Sequence, residues 1–443
     1  MNKFKILFST LIFSFAVNSQ TLKTTNLNLS TDGKVYDVEY IPSVNAYVVV
    51  GEFTSIGGFA RKNLAYLNGN NLTVIGGNPI STIDGAIRSV EYHSFVNAGT
   101  TYHYMAIGGE FNTINGNPRE SLALFYTTGG LALNTFPIYT WNYALQNGDG
   151  NINNDGVFDL EFKGDTLLVG GAFQGINLQL FSSTSVNIVE DNFMKLKAIT
   201  TGAKLDTVFS ANDPDLFPHY DVGAFSILNT ANKLFVAGMN FPINNGLVQA
   251  LIHRYTPSVT QDGSFTASSS NRHGFHSLAK LNDTLILATD AGLNGTATLS
   301  SNMIICKQTG NAPSGNAQYA INPLLSGFAS NVWGQQGYNG DLFMYKGTTP
   351  TIQRQKLNSA LVSNGLDFTQ VGTSISVTSP GSHIDSTNNL MLEGRYLFVS
   401  ERGMTTVGGQ TRTGLAAFCL EPENPLPFVT PDLFVCPNET VTY

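Results

Sequence analysis

Two stretches of this 443-residue chain have nearly the same sequence, and they decide the fold. Val50–Leu67 reads VGEFTSIGGFARKNLAYL, and Ile107–Phe125 reads IGGEFNTINGNPRESLALF. With Gly51 aligned on Gly109, eight of fifteen positions are identical at an offset of 58 residues. A third copy, GMTTVGGQTRTGLAAF, spans Gly403–Phe418. Repetition at a steady period indicates a repeated structural unit.

Weaker copies fill the interval between the second and third strong ones. Their spacing drifts around the 58-residue offset because surface loops absorb insertions. They are DTLLVGGAF (Asp165–Phe173), NKLFVAGMNFPINNGLVQALIHRY (Asn232–Tyr255), NDTLILATDAGLNG (Asn282–Gly295) and GDLFMYKG (Gly340–Gly347). Together with the strong copies, they predict seven units.

Each unit contains short runs of branched and aromatic residues bounded by Gly, Asn or Asp, which is typical of β-strands. One run precedes the repeat glycine. Another follows a turn dipeptide, as in DGKVYDVEY (Asp32–Tyr40), DGAIRSVEY (Asp84–Tyr92) and DGVFDLEF (Asp155–Phe162). Four short strands per unit, without helical periodicity, are typical of a propeller blade. The sequence therefore predicts an all-β, seven-bladed β-propeller built from four-stranded repeats of about 58 residues.

The glycine-rich link between the second and third strands predicts a specific turn. Gly57-Gly58 allows φ > 0 without steric cost, and Phe53 and Ile56 are expected to anchor the link over the core between neighbouring blades.

This pattern resembles the delta-60 repeat of bacterial β-propellers. The matching residues are Val50–Asn70, Ile107–Gly130 and Gly403–Phe418, and the weaker resemblance covers most of Leu22–Glu423. It implies a secreted or surface-exposed propeller and brings no catalytic residues with it.

The ends of the chain predict the domain boundaries. Residues 1–19 have two lysines followed by an apolar run, which is typical of a secretory signal peptide. The propeller is expected over residues 20–423, and no later segment is long and apolar enough to span a bilayer. Residues 424–443 contain a proline-rich linker followed by LFVCPNETVTY. That ending resembles the first strand of Ig-like or PKD-like modules in surface proteins of bacteria with type IX secretion. The resemblance implies a monomeric head within a longer multidomain chain.

Composition limits the partners. The formal net charge is −8 and charged residues make up 12% of the chain, without a basic run. Nucleic acids and anionic membranes are therefore not expected partners, whereas extracellular glycans or proteins are.

The three cysteines have different predicted roles. Cys306 and Cys419 occupy similar third-strand positions in units that are not adjacent, so a bond between them is disfavoured and buried thiols are predicted. Cys436 is expected to bond within the module that the ending resembles.

Catalytic signatures are absent from the sequence: it has no H-E-x-x-H, G-x-S-x-G or C-x-x-C motif. The segment NGDGNINNDG alternates oxygen-bearing side chains in the manner of a Ca²⁺ loop. It lacks the closing glutamate, and its last two residues also align with the turn dipeptides of other units. The candidate calcium ligands are Asp149, Asn151, Asn153 and Asp155. No other cofactor is predicted.

One small polar position recurs on the first strand of five units: Asp37, Ser89, Asp159, Ser226 and Ser277. First strands line the central channel of a propeller, so two interpretations stay open. The side chains hydrogen-bond neighbouring blades, or they form a ligand-binding ring.

Two functions follow from these observations. The favoured one is a non-catalytic secreted or cell-surface propeller, a repeat protein for adhesion, binding or scaffolding. The alternative is a glycan-active hydrolase or lyase that uses the channel mouth.

Overall fold

The structure is a computed structural model, and the part of the chain that it describes consists of β-strands, turns and a 3-10 turn at Pro42–Val44, without an α-helix. The described residues are 23–24, 29–77, 80, 82–131, 133, 143–146, 156–164, 166–173, 175–179, 185–188, 193–197, 204–205, 224–230, 233–240, 249–256, 261–270, 275–280, 285–290, 303–307, 332–338, 341–346, 350–357, 368–379 and 389–420.

Within those ranges, the main strands pair antiparallel in the order in which they occur along the chain, and we number the resulting sheets 1 to 7. Sheet 1 consists of Lys34–Ile41, Ala46–Glu52 and Leu64–Asn68; sheet 2 of Ile87–Asn97, Thr100–Gly109 and Leu122–Thr128; sheet 3 of Gly156–Lys163, Thr166–Ala172, Phe193–Lys197 and Lys204–Leu205; sheet 4 of Ala224–Asn229, Leu234–Asn240, Gln249–Tyr255 and Gln261–Ser270; sheet 5 of Phe275–Lys280, Leu285–Asp290 and Met303–Lys307; sheet 6 of Val332–Tyr338, Asp341–Lys346, Thr351–Leu357 and Phe368–Thr378; sheet 7 of Leu390–Glu393, Tyr396–Ser400 and Leu415–Cys419.

Shorter strands complete the described architecture. Two-stranded hairpins link the second and third strands of sheets 1, 2 and 7; they are Ser55–Ile56 with Phe59–Ala60, Thr113–Ile114 with Asn117–Pro118, and Thr406–Val407 with Gln410–Thr411. A separate sheet contains Tyr143–Gln146, Gly175–Gln179 and Ser185–Ile188.

The sheets are arranged in a ring. The first strand of each sheet contacts the first strand of the next, and Leu390–Glu393 of sheet 7 contacts Lys34–Ile41 of sheet 1. The N-terminal strand Lys23–Thr24 pairs with the outer edge of sheet 7, with Lys23 opposite Cys419 and Thr24 opposite Phe418. The two ends of the propeller therefore meet in one sheet.

The core lies between sheets because alternate residues of a strand point to opposite faces. Val48 and Val50 belong to a buried cluster with Ile107 of sheet 2. Tyr47 belongs to another cluster with Phe398 of sheet 7. Each fully buried apolar side chain contributes roughly 1.5–3 kcal/mol, so each sheet depends on both neighbours.

The repeat glycine is required by a close approach of two strands. A Cβ on Gly51 would lie 2.2 Å from the carbonyl oxygen of Lys34, and a Cβ on Gly109 would lie 2.2 Å from that of Ala86. Both glycines therefore recur because the backbone of the first strand occupies the space of a side chain.

The predicted glycine turn and its anchors are confirmed. Gly57 and Gly58 have φ values of 58° and 81°. Phe53 and Ile56 are buried in the cluster between sheets 1 and 7.

The predicted all-β propeller is confirmed as a fold class. The number of blades, seven, stays a prediction, because stretches of chain between the sheets are not described. The signal peptide over 1–19 and the module start over 424–443 lie outside the described residues, so the proposed domain boundaries stay predictions as well. Among the described residues, no helix is long and apolar enough to cross a membrane.

One cysteine prediction is wrong. Cys419 is buried, as expected, but it is disulfide-bonded rather than a free thiol. Its strand position identifies it as a small apolar residue and carries no information about a covalent partner.

Candidate functional site

The first strands share a local irregularity that positions their polar side chains. The register with the second strand shifts by one residue between Val35 and Asp37, and again between Ile87 and Ser89. Sheets 3, 4 and 5 shift immediately before Asp159, Ser226 and Ser277. Such a β-bulge redirects the side chains that follow it. Because the bulge recurs, the five predicted ring residues occupy equivalent positions.

These ring residues connect one sheet to the next. The Val90 amide donates to Oδ2 of Asp37 at 2.9 Å, and the Leu160 amide donates to Oγ of Ser89 at 3.2 Å. The inner edge of each first strand has no further strand beside it, so its amides need partners. The neighbouring sheet's side chain supplies the acceptor.

The same connection continues around the ring. The Ile227 amide donates to Oδ2 of Asp159 at 2.6 Å, and the Leu278 amide donates to Oγ of Ser226 at 3.2 Å. Ser89, Ser226 and Ser277 are all buried. Hydrogen bonding between sheets accounts for the polarity of these positions. A ligand role for them stays a prediction.

Sequence reasoning missed a second row of carboxyl groups two residues further along the same strands. Glu39, Glu91 and Glu161 follow Asp37, Ser89 and Asp159 in the segments DVEY, SVEY and DLEF. Because the period of a strand is two, each glutamate shares a face with the ring residue before it. That repeated spacing was a signal available in the sequence.

Glutamates of this second row also accept hydrogen bonds from main-chain amides of neighbouring sheets, two residues further along the strands than the ring residues. Glu39 accepts a hydrogen bond from the Tyr92 amide, and Glu91 accepts one from the Phe162 amide. Glu393, in sheet 7, accepts from the Tyr40 amide. The inner edges of neighbouring sheets are thus joined by two rows of side-chain acceptors.

Burial and mutual repulsion keep several of these carboxyl groups protonated. Burial raises the pKa of Asp37 to about 6. Burial, followed by the charge of Asp37, raises the pKa of Glu393 to about 7, and burial raises the pKa of Asp159 to about 8. Protonated and ionised carboxyl groups therefore coexist at neutral pH.

Two further glutamates of the inner strands, Glu39 and Glu91, also have raised pKa values. Burial and then the charge of Glu393 raise the pKa of Glu39 well above its ordinary value. Burial and then the charge of Glu39 do the same for Glu91. Glu161, with a pKa of about 8, is raised by burial and then by Asp159. We name Asp37, Glu39, Glu91, Asp159, Glu161 and Glu393 the channel carboxyl ring.

The ring does not form a recognisable metal centre. Among the described residues, no three His, Cys, Asp or Glu side chains are placed to hold a metal ion. The predicted calcium ligands Asp149, Asn151, Asn153 and Asp155 lie outside the described residues, so calcium binding there stays a prediction.

A second feature is a polar cleft of about 360 Å³ between the loops of sheets 1 and 2. Its lining includes Asp32, Glu52, Lys62 and Asp84. Asp32 accepts hydrogen bonds from the amides of Thr54 at 2.8 Å and of Ser55 at 2.9 Å. The turn aspartate of this repeat thus holds the glycine-rich link of its own unit.

Asp84 repeats the arrangement in sheet 2, accepting from the amides of Asn112 at 2.8 Å and of Thr113 at 2.9 Å. Burial alone would raise the pKa of Asp32 and of Asp84, but these hydrogen bonds outweigh it and lower both. Both carboxylates are therefore structural parts of the cleft.

Comparison with solved structures finds similar folds at low sequence identity. The chain resembles the WD40 β-propeller domain of Doa1 (13% identity, TM-score 0.42, covering 90% of this chain and 97% of that one). It also resembles Raptor from Chaetomium thermophilum (8%, 0.46, 92% and 29%) and an ancestral GH74 enzyme (10%, 0.31, 89% and 55%). No family model matches the chain, and no curated protein matches it either. Similarity at this level concerns the fold alone.

Proposed function

We propose that this protein is a non-catalytic, secreted or cell-surface propeller that acts as a binding or scaffold head of a larger multidomain protein. The observation that carries the proposal is that the polar channel side chains already serve as hydrogen-bond acceptors between neighbouring sheets. The polar groups singled out by their recurrence accept hydrogen bonds from the next sheet, as Asp37 does from Val90. Groups engaged in holding the ring together are poorly placed to act on a substrate.

The delta-60 resemblance and the export signal extend the proposal. The sequence of residues 1–19 favours secretion, and the ending resembles modules of proteins that use type IX secretion. The disulfide at Cys419 supports a location outside the cytosol, because disulfides persist in oxidising compartments. N-terminal sequencing of the exported protein should start near Gln20, whereas a start at Met1 would contradict the signal-peptide assignment.

An extracellular glycan is the first ligand class to test. The experiment is a glycan array probed with the full exported chain, and binding to a restricted set of glycans is expected. The matched assay incubates each bound glycan with the protein and measures new reducing ends, which should not form. Silence across the whole array would contradict the glycan-binding form of the proposal.

A second function, cleavage of glycans by a hydrolase or lyase reaction at the channel mouth, is favoured by the raised pKa of a channel glutamate. General acids in glycosidases are carboxyl groups with a raised pKa, and Glu91 has one beside other carboxyl groups. The test measures reducing ends released from a glycan by the wild-type chain, by Glu91→Gln and by Glu120→Gln. Release that is lost in Glu91→Gln and retained in Glu120→Gln would establish glycan cleavage in place of non-catalytic binding.

A further inference from the structure

The polar cleft between the loops of sheets 1 and 2 has the size and the lining of a small ligand site. Its volume is about 360 Å³, at the lower end of the range for ligand pockets in proteins. Phe53 and Ala86 contribute apolar parts of its wall. The charged side chains that line it are Asp32, Glu52, Lys62 and Asp84.

Two of these charged side chains are already used by the fold. Asp32 accepts from the Thr54 amide and Asp84 from the Asn112 amide, each at 2.8 Å. The hydrogen bonds to both carboxylates lower their pKa, so both are ionised at neutral pH. They are therefore acceptors held in fixed positions by the links of their own units.

The other two charged side chains have bonding capacity left. Oε2 of Glu52 accepts from the Tyr36 hydroxyl at 3.3 Å and pairs with Arg402, whereas Oε1 accepts no hydrogen bond from any described residue. Lys62 is exposed, and within the described part of the chain it forms no hydrogen bond or ion pair, with Glu52 included. An acceptor oxygen and an ammonium group thus line one cleft without joining each other.

The repeat shows that the fold does not require this combination. At the offset of 58 residues, Glu110 corresponds to Glu52 and Glu120 to Lys62. Arg88 donates to Glu110 at 2.9 and 2.7 Å, and Glu120 has the opposite charge to Lys62. The second unit therefore keeps the turn aspartate and the repeat glycine but lacks the ammonium group.

The charges of the cleft limit the class of ligand. Three carboxylates disfavour an anion, and Lys62 disfavours a bare cation. Among the described residues, no three His, Cys, Asp or Glu side chains are placed to hold a metal ion. A hydroxyl group, in contrast, can donate to a carboxylate and accept from an ammonium group. Hydrogen bonds to charged partners are also the stronger ones, and a sugar carries several hydroxyl groups on one ring.

We infer that this cleft binds one neutral sugar unit of an extracellular glycan, with Glu52 accepting from one hydroxyl group and Lys62 donating to another. The inference rests on the proposed glycan binding and assigns it to the cleft rather than to the channel. Asp32 and Asp84 contribute further acceptors on the walls.

Saturation-transfer NMR of the full exported chain tests the inference. The probes are the methyl glycosides of glucose, galactose, mannose and N-acetylglucosamine, and at least one should receive saturation from the wild type. Lys62→Glu removes the donor and adds a fourth carboxylate, so the binding of that glycoside should weaken roughly tenfold or more. Because Lys62 has no contact to lose, the Tm of this variant should equal that of the wild type.

The matched control is Glu120→Lys, the reverse exchange at the corresponding position of the second unit, which should bind as the wild type does. Glu52→Gln should also weaken binding, and its Tm shows whether the loss of the pair with Arg402 disturbs the fold.

The outcomes separate the inference from the proposed function. Equal affinity of the wild type and Lys62→Glu would overturn the inference and leave glycan binding in place. The absence of saturation transfer to all four glycosides, from a protein that binds the glycan array, would do the same. Silence in both assays would contradict the proposed glycan binding and the inference with it.

Discussion

Glu91 illustrates, at the residue scale, how a side chain with an unfavourable charge is retained in this fold. Its carboxyl group accepts a hydrogen bond from the Phe162 amide of the next sheet, while burial and Glu39 raise its pKa. An unpaired inner-strand amide costs about 1–3 kcal/mol when buried. The carboxyl group therefore satisfies the neighbouring amide, and holding a proton lowers the cost of burying it.

This arrangement predicts a pH-dependent stability. In the folded protein, Asp37, Asp159, Glu161 and Glu393 have pKa values between about 6 and about 8, above the ordinary values near 4. Between about pH 4 and about pH 8, these four groups hold more protons in the folded state than in the unfolded state. The free energy of unfolding therefore falls as the pH rises through this range. We expect Tm from scanning calorimetry to decrease by several degrees between pH 5 and pH 8.

Glu91→Gln tests the origin of that slope. Glutamine retains an oxygen for the Phe162 amide but does not titrate, so the decrease in Tm with pH should become smaller. Glu120→Gln, at an exposed position, should leave the slope unchanged. A Tm that is constant or rises from pH 5 to pH 8 in the wild type would show that the channel carboxyl ring is ionised throughout.

The repeat glycine gives a second prediction at this scale. Gly109→Ala places a Cβ 2.2 Å from the backbone oxygen of Ala86 and 2.8 Å from the Cα of Ile87. Backbone atoms cannot rotate away, so we expect a loss of about 1–3 kcal/mol or more in the free energy of unfolding. Denaturant titration measures it. Gly130→Ala, where no atom lies within 4 Å, should change that free energy by less than about 0.5 kcal/mol.

At the scale of the element, the unit is a meander whose link is held by its own turn aspartate. Asp32 and Asp84 hold equivalent links in sheets 1 and 2. The D-G dipeptide was predicted from sequence only as a turn. Its carboxylate has the further role of an acceptor for amides more than twenty residues away.

Asp84→Ala removes the acceptor for the amides of Asn112 and Thr113. By analogy with the loss of a helix cap, we expect a cost of about 0.5–2 kcal/mol. Hydrogen exchange should accelerate locally at those two amides. Asp84→Asn keeps one oxygen acceptor and should have a smaller effect. Equal exchange in both variants and the wild type would indicate that the link is held by its other contacts.

At the scale of the whole molecule, the ring depends on a very short strand from the beginning of the chain. Lys23–Thr24 pairs with the outer edge of sheet 7. An uncovered strand edge favours association with other chains. The N-terminal strand therefore both closes the ring and protects this edge.

Removal of residues 20–24, with the signal peptide left in place, should lower the Tm of the exported protein and increase self-association, measured by calorimetry and light scattering. Removal of Gln20 alone leaves the strand Lys23–Thr24 intact, is the control and should behave as the wild type. Identical Tm and mass for the two truncated proteins would contradict a closing role for Lys23–Thr24.

Much of the fold was predictable from sequence because its determinants are local. The turn at Gly57-Gly58 depends on the φ > 0 that glycine allows. The continuous apolar run AYVVV (Ala46–Val50), which is buried throughout, and the repeat glycine that follows it are readable within one unit. The row Glu39, Glu91 and Glu161 was readable in the same way, from its position two residues after the ring residues, but it was missed.

The sequence by itself determined the repeated unit, its turns and the all-β class, because each depends on residues close together in the chain. Only the tertiary structure decided which groups meet across the ring. Glu393 and Glu39, or Lys23 and Cys419, are separated by hundreds of residues, and no local pattern encodes their proximity. Ring closure brings them together, and the pKa values of the carboxyl groups and the environment of the disulfide follow from that closure.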